Sequence, residues 1–339
     1  MARLASGLAG GMLAEGGRRL ARGEYRLPPV SQLILTPGNA ERLAAQLATL
    51  RGAAMKLGQL LSMDAGDILP PALATILARL REDAAPMPRR QLERVLREAW
   101  GPGWPRLFAD FHWQPVAAAS IGQVHRARTP EGREFALKVQ YPGVARSIDS
   151  DVDNVMALLR LARLLPDGAD LAPLVREAKA QLRAEADYLT EAANLERFGE
   201  LLAGDSDFVV PGIERALCRR TVLAMDFLPG RPIEALATAS DALRERAVRQ
   251  LFRLLFRELF EFRLVQTDPN FANYRVQEAP GRIVLLDFGA TRPYAKRTVT
   301  GYRRFFRGAV DGDRAGILAG LLQIGYLPAD ALPAHREKL

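Results

Sequence analysis

Apolar residues recur early in the chain at Leu43, Leu47, Leu50, Ala54, Leu57 and Leu61. Their spacings of 4, 3, 4, 3 and 4 give one long helical face. The segment YRLPPVSQLILTPGNAERL before it reads as a linker, and Asn39 is placed to cap the helix. LPPALATILARL opens a second helix, with Pro70 and Pro71 tolerated in its first turn. Gln91 to Trp100 forms a third, with Leu92, Val95, Leu96 and Ala99 on one side and GPGWP as its stop. The pattern then changes to strands over 107–140, and PVAAASIGQVHRARTPEGREFALKVQYPG reads as strand, tight turn, strand, hairpin turn, strand.

Helix returns over 149–165, and PDGAD breaks it. Residues 171–202 read as one long helix with Val175, Ala178, Leu182, Ala186, Leu189 and Ala193 on a stripe. FVVPGI and RRTVLAMDFLPG look like strands, and Arg244 to Leu264 like a strongly apolar helix. QTDPNFANYRV and GRIVLLDFGAT predict loop–strand, turn, strand–loop.

Composition narrows the chemistry. The single cysteine, Cys218, forbids an internal disulfide, and the three histidines lie too far apart for zinc-type spacing. No run approaches the roughly 20 apolar residues of a membrane span. Net charge is +8, carried almost wholly by arginine, which favours anionic partners: a nucleotide or a membrane surface. No nucleic-acid motif accompanies it. The opening MARLASGLAGGMLAEGGRRLARGEYR reads as a tail or as a basic segment lying on an anionic membrane. Only five lysines occur, and two of them, Lys56 and Lys138, fall in motifs.

The first motif is Ala117-x-Ala119-x-x-Gly122-x-Val124, a kinase phosphate loop with two of its three glycines replaced by alanine. Lys138 follows 14 residues on, in FALKV. A plain β-hairpin is the competing reading. Downstream, QTDPNFAN sets Asp268 and Asn273 five apart, and LLDFGA places Asp287 after a further 14 residues. Phosphoryl transfer asks for these types: one carboxylate for the nucleophile's proton, and an amide plus a second carboxylate for Mg²⁺. Lys138 requires a helix carboxylate, and EADYLTEAANLERF offers Glu185, Asp187 and Glu191. Asp187 and Glu191 share a helix face, and as like charges they need partners. Glu185 points nearly opposite to Asp187 on a straight helix. Gly52, Lys56, Gln59 and Met63 line a second face of the first long helix, which by itself reads as solvent-facing.

K-x-G-Q at Lys56–Gln59, A-A-A-S-I-G-Q at Ala117–Gln123, E-x-D at Glu185–Asp187, Q-T-D-P-N-F-x-N at Gln266–Asn273 and L-D-F-G at Leu286–Gly289 occur in that order. Over roughly residues 35–325 the chain resembles the UbiB family of atypical kinases, with the closest likeness to members supporting ubiquinone (coenzyme Q) biosynthesis. The resemblance implies an α+β, bilobal, protein-kinase-like fold with an N-terminal helical extension over the active site. It implies the extension at 31–106, an N-lobe with a helix insertion at 107–226 and a C-lobe at 227–339, which is shortened here; residues 1–30, before the resemblance begins, are the tail or membrane-surface segment read from their own composition. ATP or ADP and Mg²⁺ are the implied cofactors. Lys138 becomes the nucleotide lysine, Glu191 its partner, Asp268 the catalytic-loop acid, and Asn273 and Asp287 the metal ligands. The loop residues Ala117, Ala118, Ala119, Ser120, Ile121, Gly122 and Val124, with Met225, Asp226 and Phe227, are candidates for nucleotide contact. Lys56 and Gln59 belong to the segment that occludes protein substrates, and Glu185 and Asp187 to the acidic motif facing it.

Two features differ from common protein kinases, and one departs from the resembling family. Alanine narrows the loop's conformational choice and should hold it in one form. Thr267 stands where common protein kinases have arginine, and no A-P-E follows the D-F-G, so activation-loop phosphorylation is not expected. Only 50 residues follow Gly289, fewer than in the resembling proteins, so apolar surface should be exposed in the large lobe. The leading expectation is an ATPase or unorthodox kinase, cytoplasmic or peripheral on the inner membrane. Its candidate partners are a lipid or quinone intermediate and other ubiquinone-biosynthesis proteins. A non-catalytic nucleotide-binding scaffold and a small-molecule phosphotransferase are the alternatives.

Overall fold

The computed structural model describes residues 50, 52–53, 56–57, 86–161, 171–268, 270–277, 279 and 281–327. The Asn39 cap, most of the first apolar stripe, the LPPALATILARL helix, the PDGAD breaker, Gln59 and the N-terminal segment lie outside these residues. The described residues fall into two compact units, divided after Leu189, Ile213 and Met225.

The first unit is built on a five-stranded sheet. Its strands are β1 (Asp110–Phe111), β2 (Ala117–Ala119), β3 (Gly122–Arg128), β4 (Glu134–Gln140) and β6 (Val222–Asp226), in the order β1-β3-β4-β6 with β2 also on β3. β2, β3 and β4 are the three strands expected from PVAAAS…KVQ. β3 and β4 pair antiparallel from Gly122↔Gln140 to Arg128↔Glu134. β4 is buried almost throughout, as its apolar run requires. β3 turns Gln123 and His125 inward, and each is satisfied. Gln123 Oε1 accepts the Met87 N–H at 2.8 Å, and its amide Nε2 faces His125 Nε2 at 2.7 Å. His125 Nδ1 then donates to the His112 carbonyl at 2.8 Å, so the neutral Nδ1–H form fits this chain of bonds.

Helix α1 (Arg89–Trp100) buries Leu92, Val95 and Leu96. It is fastened by Trp100 Nε1 donating to the Leu217 carbonyl at 2.9 Å. Helices α2 (Val144–Leu161) and α3 (Ala172–Glu185) are joined by Lys179–Asp153 at 2.7 Å and Arg183–Asp149 at 2.6 Å.

The single helix expected over 171–202 is instead two, α3 and α4 (Tyr188–Leu201). The apolar spacing continues past the break in sequence, so periodicity alone did not reveal it; in the fold Ala178, Leu182 and Ala186 are buried while Leu189 and Ala193 are exposed. Asp187 accepts the Leu189 N–H at 3.1 Å, an Asx cap that competes with helical continuation. The freed backbone groups find partners elsewhere: Gln140 Nε2 donates to the Ala186 carbonyl at 2.9 Å, and Tyr188 N–H to the Arg220 carbonyl at 3.2 Å.

The second unit holds most of α4, together with β5 (Phe208–Val209), β7 (Arg231–Pro232), α5 (Asp241–Arg257), β8 (Leu264–Gln266) and β9 (Tyr274–Gln277). It ends with β10 (Arg282–Leu285), β11 (Thr291–Pro293), α6 (Lys296–Asp311) and α7 (Arg314–Ile324). A four-stranded sheet runs β5-β10-β9-β7, and β8 pairs antiparallel with β11. The β9–β10 hairpin turns at Gly281, whose φ of 82° suits glycine. Phe198 and Phe288 stack in the core with centroids 4.2 Å apart. Gly308 and Gly320 let α6 and α7 approach closely; a Cβ on Gly320 would stand 2.6 Å from the Phe305 nitrogen.

The helix expected from Arg244 to Leu264 ends earlier. After Arg257 the chain makes a π-turn over Glu258–Phe262, Arg263 takes a left-handed φ of 53°, and Leu264 begins β8. The physical reason is Glu258, a carboxyl buried within an apolar run, whose Oε2 accepts the Gln266 N–H at 3.1 Å once the chain folds back. On α5 the apolar Val248, Phe252, Leu255 and Phe256 are exposed.

Candidate active site

In the second unit, three candidate residues are presented by two laced loops. β8 delivers Thr267 and Asp268. A 3₁₀ turn at Phe271–Asn273, capped by Asn270 Oδ1 accepting the Ala272 N–H at 3.1 Å, delivers Asn273. Asn273 Nδ2 donates to the Asp268 carbonyl at 3.3 Å. Its own carbonyl accepts the Leu286 N–H at 3.0 Å, one residue before Asp287. Asp287 Oδ1 accepts the Gly289 N–H at 2.9 Å, which fixes the carboxylate's rotation. Thr267 donates twice to the Ala290 carbonyl, from Oγ1 at 2.6 Å and from its N–H at 3.1 Å. The residue replacing the usual arginine therefore stitches the two loops together. The Phe288 carbonyl accepts from Asn194 Nδ2 at 3.0 Å.

The field here is negative. The Tyr274 phenol is pushed up to about 12, by burial first and then by the charges of Glu258, Asp268 and Asp287. Among the described residues no group of three or more His, Cys, Asp and Glu side chains forms a metal cluster. One amide and two carboxylates fit Mg²⁺ instead, which takes oxygen ligands and commonly completes its shell with water and phosphate.

Burial pushes the Glu258 carboxyl up to about 8, so it keeps its proton at pH 7. The folded chain then binds more protons than the unfolded one between the ordinary value of 4.5 and pH 8, and stability falls as pH rises through that window. His125 acts with the opposite sign: burial lowers its pKa, so its share of stability is lost as pH falls below 6.5. Comparing melting temperatures from pH 5 to 9 separates the two. Glu258→Gln, which keeps an acceptor for Gln266, should lose the decline above pH 6.5 and retain the acid-side loss.

In the first unit, Ala117, Ala118 and Ala119 form a strand paired to Gly122, Gln123 and Val124 around the two-residue turn Ser120–Ile121. Gly122 is retained for packing: a Cβ there would overlap the Val139 carbonyl oxygen and stand 3.0 Å from the Tyr188 hydroxyl. Lys138 is buried on β4 with Nζ 5.2 Å from the Tyr188 ring centroid. Met225 is buried on β6; Asp226, half-buried, donates its N–H to the Gly212 carbonyl at 2.8 Å, and Phe227 follows, half-buried.

Lys56 is not solvent-facing, as the helix pattern alone suggested. It is 3% exposed, with Nζ 2.6 Å from Glu185 Oε1. Glu185 Oε2 accepts from Ser120 Oγ at 2.5 Å, so the K-x-G-Q lysine, the acidic motif and the Ala-rich turn meet at one carboxylate. Asp187 serves a different partner, Arg220 at 3.3 Å, besides its capping bond. It precedes α4, so it does not share a helix with Glu191 as expected. Glu191 is buried in the first turn of α4. The contacts of Ser120, Gln266 and Glu258 were not foreseen; the signals were a polar residue beside the alanines, an unassigned glutamine in a motif, and an acid inside an apolar run.

The sequence profile of the ABC1 atypical kinase-like domain matches residues 79–320. The chain belongs to the ABC1 atypical kinase-like family. The likeness read from the motifs, and the protein-kinase-like α+β class, are thereby borne out. This ABC1 chain is 41% identical over 324 residues to the mitochondrial atypical kinase COQ8B of Rattus norvegicus, covering 96% of the chain and 61% of that relative. It is 38% identical to the mitochondrial atypical kinase COQ8 of Saccharomyces cerevisiae, covering 96% and 64%. Thus it spans under two thirds of the length of these relatives. Among solved structures, Rv3197 of Mycobacterium tuberculosis, determined with erythromycin, aligns with a TM-score of 0.60 at 28% identity, over 89% of this chain and 77% of that one. No helix among the described residues is long and apolar enough to cross a membrane.

Proposed function

We propose that the chain binds MgATP and transfers or hydrolyses its terminal phosphoryl group in support of ubiquinone biosynthesis. The carrying observation is the laced pair of loops that holds Asp268, Asn273 and Asp287 in a negative field. Bound Mg²⁺ supplies neutralisation of the phosphate charge. Asn273 and Asp287 hold it through their side-chain oxygens, and Asp268 orients the attacking oxygen and takes its proton. The Lys138 ammonium is assigned to the α- and β-phosphates, with Glu191 as its partner, and the Ala117–Val124 turn, with Met225, Asp226 and Phe227, to the rest of the nucleotide. Lys56 and Gln59, with Glu185 and Asp187, belong to the guarding segment and its acidic counterpart. The N-terminal basic segment, a membrane surface and a lipid or quinone intermediate complete the assignment, with a cytoplasmic, membrane-peripheral location.

Thermal stability and phosphate release with MgATP test it together. At a hundred times Kd, nucleotide should add about 2.7 kcal/mol to stability, and release should require Mg²⁺. The docking of Lys56 on the turn through Glu185 favours a second reading, a restrained nucleotide-binding scaffold. Binding without turnover would select it, and the absence of both would overturn the nucleotide assignment.

A further inference from the structure

Gln266 closes β8 and makes hydrogen bonds in three directions. Its backbone N–H donates to Glu258 Oε2 at 3.1 Å, its Oε1 accepts the Asp268 N–H at 2.8 Å, and its Nε2 donates to the Asp287 carbonyl at 3.4 Å. A backbone N–H demands an acceptor and a backbone carbonyl demands a donor, so the carboxamide fits in one orientation only. One planar group therefore spans the backbones of the two acidic loops. Beneath it, the π-turn and the left-handed Arg263 bring the buried Glu258 against the same residue. Local strain and a π-turn are features concentrated at functional sites.

We propose that Gln266 is a positioning residue, a two-ended clamp that sets the separation of Asp268 from Asp287 and so of the proton-accepting carboxylate from the metal-holding one. The proposal rests on the reading of these acids given above. Gln266 itself touches neither nucleotide nor metal in this scheme. Glutamate in its place keeps the bond to Asp268 N–H but sets an oxygen against the Asp287 carbonyl; methionine keeps the size and loses both bonds.

Two measurements on the full chain test it. Steady-state phosphate release with MgATP should show kcat lowered about 10–100-fold in Gln266→Met and Gln266→Glu, the range seen when groups supporting metal ligands are removed. The Mg²⁺ concentration for half-activity should rise while nucleotide KM moves less than about threefold. A merely structural role would lower kcat in proportion to the folded fraction and leave the Mg²⁺ requirement unchanged, and that result overturns the clamp. Amide hydrogen exchange reads the clamp without catalysis: in Gln266→Met the Asp268 N–H should exchange at least about tenfold faster, with the Ile283 and Val284 amides of β10 unaffected. Unchanged exchange at Asp268 overturns the proposal even if turnover falls. Inactive wild-type chain with accelerated exchange in the variant removes the nucleotide reading and leaves the clamp standing.

Discussion

Asp287→Asn is expected to abolish MgATP-dependent phosphate release, by at least about a hundredfold, without unfolding the protein. The hydrogen bond and the charge of this side chain have separate roles. Oδ1 accepts the Gly289 N–H at 2.9 Å, and an asparagine oxygen preserves that bond, so melting temperature should move little. The charge is what disappears. A metal ion is worth several kcal/mol of transition-state charge stabilisation, and each 1.36 kcal/mol lost is tenfold in rate. Losing half of that contribution already suffices for the stated drop. The change has a marker independent of turnover. Burial first, and then the charges of Glu258, Asp268 and Asp287, push the Tyr274 phenol up, so ultraviolet titration of the variant should place that phenol slightly lower. Raising Mg²⁺ should recover part of the rate if the defect is metal affinity. Full activity at ordinary Mg²⁺ would remove Asp287 from the site.

The elements that position these acids were legible because each is a short, local pattern. Alternation and a glycine turn specify β9 and β10, and D-x-x-x-x-N followed by D-F-G marks the loops on either side. The Ala117–Gln140 strands were equally plain, since two hairpin turns leave little choice of register. What escaped depended on groups far apart in sequence. The break between α3 and α4 shifts the buried face from Ala178, Leu182 and Ala186 to Tyr188, Ala192 and Leu195, and is stabilised by Gln140 and by the Arg220 carbonyl, which no local window contains. The early end of α5 follows from one buried acid finding an N–H eight residues ahead. Gln266 stood inside a quoted motif without a role, because its bonds reach the Asp268 backbone and a loop 21 residues away.

Lys56 carries the second large effect, and here the sequence pattern alone pointed the wrong way. A lysine off the apolar stripe of a helix is ordinarily solvated, and its removal changes stability by a few tenths of a kcal/mol. In this chain both partners are buried, the lysine side chain 3% exposed and the glutamate 11%, and their atoms lie 2.6 Å apart. Removing one member of such a pair leaves a buried charge without its counter-ion, which costs about 3–5 kcal/mol. Lys56→Ala should therefore destabilise the first unit by that order in urea unfolding, whereas Lys56→Met with Glu185→Gln should recover much of the loss, because it deletes both charges and keeps an acceptor for Ser120. The same comparison bears on function. Ser120 ties Glu185 to the Ala-rich turn at 2.5 Å, so an unpaired Glu185 pulls on the turn assigned to the nucleotide. Nucleotide affinity should shift in Lys56→Ala and return toward the parent value in the double variant. Parent-like stability in Lys56→Ala would return this lysine to the solvated face that the helix pattern first suggested.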